Sequence, residues 1–67
     1  MIDYNELVIL CATKAPDGDE PELVFKPMPL YKALAQFVVS KGQFESADCR
    51  FVYFINLNGE VVLEKRI

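Results

Sequence analysis

Two thiols, Cys11 and Cys49, are the strongest nucleophiles in a chain of 67 residues that contains no histidine. The remaining hydroxyl nucleophiles are Thr13, Ser40, Ser46 and three tyrosines, Tyr4, Tyr31 and Tyr53. A hydroxyl attacks only when an adjacent base takes its proton, and no imidazole exists to do so. No spacing sets a lysine or carboxylate beside a hydroxyl in its place. Arg50 follows Cys49 in sequence, but neighbouring side chains of a strand point to opposite faces, so the guanidinium does not activate the thiol. Both cysteines sit in apolar runs, where a reduced cysteine packs as a small hydrophobe. Two distant thiols without histidine do not make the four-ligand site of structural zinc. The expectation is a non-enzymatic protein with no catalytic residues, no metal and no cofactor.

Two other groupings carry chemistry. Asp17-Gly18-Asp19-Glu20-Pro21-Glu22 looks like a fragment of a calcium loop. It lacks the ligand spacing and closing glutamate of the twelve-residue pattern, and reads as a solvated hairpin tip. Phe51 and Tyr53 lie two apart with Arg66 predicted on the same sheet face, an arrangement on which single-stranded nucleic acid can stack. The net charge of −3 and the nearby Glu60 and Glu64 oppose that use, because nucleic-acid binding needs a basic footprint. Single-strand binding is therefore the alternative reading and not the leading one.

The elements that position these residues follow from pattern. Leu7 to Ala12 form an unbroken apolar run and predict a strand over 6–13, apolar on both faces and central in its sheet. Pro16-Asp17-Gly18 and Glu20-Pro21 are turn chemistry. A second strand is predicted over 22–26, ended by Pro27 and Pro29, which donate no ladder hydrogen bond. Leu30, Ala33, Leu34, Phe37 and Val38 recur at helical spacing, with Lys32, Gln36 and Ser40 opposite. Pro29 suits the first turn and Gly42 the stop, giving a helix over 29–41. Phe44 is expected to plug the helix end. Asn58-Gly59 between two strand-forming runs predicts a hairpin with a two-residue loop. Its strands are 48–57 and 60–67, and its register pairs Leu57 with Glu60, Ile55 with Val62, Tyr53 with Glu64 and Phe51 with Arg66.

The fold class is α+β: one small domain, residues 1–67, of order β-β-α-β-β, with a four-stranded largely antiparallel sheet and one helix on one face. Its chain is 52% hydrophobic and has no apolar run near the ~20 residues of a membrane span. Residues 1–12 lack a basic segment, with Asp3 and Glu6 where Lys or Arg would precede a secretory core, so a reduced, cytoplasmic protein without membrane attachment is expected.

The sheet face of Val52, Phe54, Val61, Leu63 and Ile67 is assigned to the helix. The reverse face then shows Phe51, Tyr53, Ile55, Leu57 and Val62. One helix covers one face of such a sheet, and contiguous exposed apolar area usually marks an interaction site. These five residues are the predicted partner-binding surface, for a homodimer or for another protein that the chain binds and modulates.

Overall fold

A computed structural model describes residues 1–16 and 20–67. The expected turn at Pro16-Asp17-Gly18 and most of the acidic loop lie outside the described residues. The elements are β1 (Leu7–Thr13), β2 (Leu23–Val24), β3 (Met28–Pro29), α1 (Leu30–Val39), α2 (Lys41–Ser46), β4 (Phe51–Asn56) and β5 (Val61–Arg66). They make an α+β fold with an antiparallel sheet ordered β2-β1-β4-β5, β3 also pairing with β1.

β1 is interior to the sheet, as its two apolar faces require. Val8, Leu10 and Ala12 point to one side and are fully buried, opposite Asn56, Phe54 and Val52 of β4. Ile9, Cys11 and Thr13 point to the other side, opposite Ile55, Tyr53 and Phe51.

The second predicted strand, 22–26, is shortened to β2, and a further strand, β3, follows at Met28–Pro29 beyond its expected end. β2 pairs Leu23 with Ala12, and β3 pairs Met28 with Val8, so the register slips by one residue between them. Pro27 lies at that slip and cannot donate to the ladder. Among the described residues the sheet therefore has five strands where four were expected.

The helix expected over 29–41 is α1, and a second helix, α2, follows where none was expected. α1 ends at Ser40, whose N–H still reaches Gln36 O at 3.0 Å, and α2 starts at Lys41. Gly42 lies inside α2 and is not the stop. The buried stripe runs Leu30, Ala33, Phe37, Ser40 and Phe44. Steps alternating three and four keep side chains on one helix face, so Ser40 turns inward and Val38, expected in the core, is 62% exposed. The Ser40 hydroxyl accepts from Gln36 Nε2 at 2.6 Å, which pairs its buried oxygen. No side chain caps α1. Its first N–H groups donate instead to backbone carbonyls of the N-terminal segment, Leu30 N to Glu6 O and Tyr31 N to Tyr4 O. That satisfies helical donors that would otherwise be orphaned.

Both helices lie on the Val8, Leu10, Ala12 side. Phe44 is fully buried and plugs the second helix against the core, meeting Phe25 edge-on at 6.0 Å and Phe37 at 6.2 Å. Phe37 in turn meets Phe54 at 6.3 Å, and Cys49 closes the same cluster.

The hairpin keeps the predicted register at Tyr53–Glu64 and Phe51–Arg66, then departs from it. Ile55 pairs with Val61, not Val62, and a bulge falls between Phe54 and Ile55. The cause is Asn56, whose side-chain oxygen accepts from Asn58 N at 3.0 Å and Glu60 N at 2.9 Å. This side-chain bridge holds a loop longer than two residues, and the extra residue emerges as the bulge. Gly59 takes φ of 86° in that loop, a conformation open to glycine at no steric cost.

Candidate interaction face

The side of the sheet away from the helices is built from β1, β2, β4 and β5. Pairing places Val24, Cys11, Tyr53 and Glu64 in one row across it. A second row holds Ile9, Ile55 and Val61, and a third Thr13, Phe51 and Arg66. Leu7 extends the surface at the start of β1. Neither helix contributes to the core cluster from this side, and the centre of the face carries no charge.

The five predicted partner-binding residues divide as follows. Phe51, Tyr53 and Ile55 lie on this face as expected, each half-buried by its neighbours. Leu57 is 61% exposed but belongs to the turn, unpaired with Glu60. Val62 is displaced: as the bulge residue it packs partly against the core, and Val61 takes its place opposite Ile55. Leu7, Ile9 and Val24 also lie on this face; the two-faced apolar pattern of β1 signals side chains on both sides, but which of them share a face with β4 follows only from the pairing. Leu7 is 46%, Val24 60% and Val61 54% exposed.

One end of the face is partly roofed. The Tyr53 hydroxyl donates to Pro16 O, and Pro16 with Phe51, Tyr53, Glu64, Lys65 and Arg66 lines an open groove of about 400 Å³. The Arg66 guanidinium lies over the Phe51 ring, 5.5 Å from its centre. A cation held on an aromatic face at this range is attracted by the ring quadrupole. The ring that a base would stack on thus already carries a guanidinium, and the tyrosine is tied by its hydroxyl.

The chain matches no protein-family model, no curated protein and no solved structure.

The thiols are apart and free. Cys49 is fully buried on the helix side, and Cys11 lies under Tyr53 and Val24 on the other, 8% exposed. Burial pushes both thiols up from their ordinary value, and at Cys49 the negative charge of Glu22 adds to it. A raised thiol holds less of the nucleophilic thiolate. Among the described residues no group of three or more His, Cys, Asp or Glu is placed to hold a metal ion. Among them also, no helix is long and apolar enough to cross a membrane.

Proposed function

We propose that this chain is a small non-enzymatic interaction module that binds a protein, or a second copy of itself, through the helix-free face of its sheet. One observation carries the reading. Both helices sit on one side of the sheet, and the other side presents Leu7, Ile9, Val24, Tyr53, Ile55 and Val61 as an apolar surface that no helix among the described residues covers. Scattered exposed hydrophobes are ordinary on small proteins. Here they lie on adjacent strands of one sheet face, Val24 across from Cys11 and Val61 across from Ile55, which gathers them on one surface.

The energetic scale favours an interface. A domain of this size buries only about 60% of its unfolded surface and is marginal alone. Leu7, Val24 and Val61, each about half exposed, contribute roughly 1 kcal/mol apiece when a partner covers them, a sizeable share of the stability of a small domain.

The test is Tyr53→Lys with Ile55→Lys, two charges placed at the centre of the face. The variant keeps every residue of the helix-side core, so its far-ultraviolet dichroism is expected to match the parent. Its binding through this face, to a partner or to a second copy, is expected to be lost. A variant that folds and retains both its mass in solution and its bound partners overturns the proposal. A titration with labelled oligonucleotides at low salt separates the alternative: binding that requires Phe51 and Arg66 would favour nucleic acid over protein.

A further inference from the structure

The sheet has two edges, and they differ. At one, β2 is two residues long and stands between Pro21 and Pro27. At the other, β5 runs six residues, Val61–Arg66, and no strand among the described residues pairs with its outer side. A strand edge with unpaired backbone groups is a template for another strand, and only β5 is long enough to serve.

The ladder fixes which groups are free. Phe25 N donates to Leu10 O, so Leu10 and Ala12 bond toward β2, and Ile9, Cys11 and Thr13 bond toward β4. Phe51, Tyr53 and Ile55 therefore bond back to β1, leaving Val52 and Phe54 to bond β5 through Lys65 and Leu63. Ile67 N donating to Arg50 O at 3.0 Å continues the same alternation. The N–H and C=O of Glu64 and Arg66 consequently face the open edge.

We infer that β5 pairs antiparallel with β5 of a second copy, about a two-fold axis normal to the sheet at Lys65. The side chains select this register. Among registers in which the free groups of Glu64 and Arg66 meet, one centred on Glu64 opposes two glutamates and one centred on Arg66 opposes two arginines. Centring on Lys65 sets Glu64 against the partner's Arg66, and Arg66 against the partner's Glu64. On the helix side it sets Leu63 against the partner's Ile67, and both residues already pack against the core cluster. Opposite charges directly across a strand pair stabilise it and like charges oppose it. The two lysines at the axis are the one like pair, against two opposite pairs. A charged edge repels strands in general; this one, of mixed sign, is complementary to itself. Because the proline-flanked edge cannot continue the pairing, the assembly closes as a dimer and does not propagate. The two-fold places both helix-free faces on the same side, so the surface of the proposed function becomes continuous across two copies.

The inference concerns the edge and the proposed function concerns the face, so one experiment separates them. Sedimentation equilibrium is run on the parent and variants up to about millimolar protein. The parent is expected to dimerise. Glu64→Pro deletes an N–H that β4 does not use, and is expected to be monomeric. Glu64→Arg and Arg66→Glu, each alone, are expected to weaken the dimer at least about tenfold, and the two together to restore it. The charge variants keep the test valid if the proline variant fails to fold. A parent that stays monomeric throughout overturns the inference, as does a dimer indifferent to Glu64→Arg. A dimer that survives Glu64→Pro but is lost with Tyr53→Lys and Ile55→Lys also overturns it, and leaves the face as the self-association surface.

Discussion

Asn56 is the side chain on which the hairpin turns. It is 8% exposed, and its oxygen accepts two backbone N–H groups while its amide nitrogen faces Glu6 Oε2 at 3.4 Å and Glu60 Oε1 at 3.3 Å. The Asn58-Gly59 pair was legible as a turn, but the competing loop built by Asn56 was not. A side-chain acceptor three residues ahead of a glycine does not show in strand alternation. Asn56→Ala is expected to cost about 2 kcal/mol, because it orphans two part-buried donors; a urea titration reads this as a lower midpoint with unchanged slope. The thiols give a second prediction. Their folded values lie above the ordinary 9.0, so the unfolded chain loses those protons first. Stability from this source is intact below the unfolded value and falls as pH rises through it toward the folded one. The urea midpoint of the parent is expected to drop between about pH 8 and pH 10 more steeply than that of Cys11→Ala with Cys49→Ala.

Among the elements, the apolar patterns were sound and the breaks were not. β1 and β4 lie where continuous and alternating apolar runs placed them, because burial on a pleated surface imposes a period of two. The helix was located by its apolar spacing, but the second helix beyond Ser40 was hidden, since Ser40-Lys41-Gly42 reads as an ordinary C-terminus. What extends the helical path is Phe44, which continues the buried stripe and draws a second turn of chain onto the core. The strand after the acidic loop was predicted to end at Pro27, and β3, beyond that proline and slipped by one residue, was not expected. Phe44 carries the most weight in this layer. Phe44→Ala is expected to destabilise by about 3–5 kcal/mol, a large share of the total for so small a domain. Thermal unfolding should show α2 and the Cys49 segment losing protection from hydrogen exchange before β1 and β4 do.

At the scale of the molecule the governing fact is asymmetry: two helices and an aromatic core on one side of a sheet, and an apolar surface on the other. That imbalance was legible from the count of apolar strand faces against helices. Its membership was legible in part. Phe51, Tyr53 and Ile55 follow from alternation along β4. Val61 does not, because a bulge reverses inside and outside beyond it, and Leu7, Ile9 and Val24 require the β2-β1-β4 order that pairing alone reveals. The measurement that tests the central claim most directly is a quantitative pull-down. Immobilised parent and Tyr53→Lys/Ile55→Lys proteins are offered, side by side, a lysate of source cells supplemented with a tagged soluble copy of the chain, with Glu64→Arg in every copy so that β5 pairing does not enter the result. The account predicts a bound protein, another species or the chain itself, whose recovery falls at least about tenfold on the variant, the loss of roughly 1.4 kcal/mol or more of binding. Equal recovery on a variant that remains folded would contradict it.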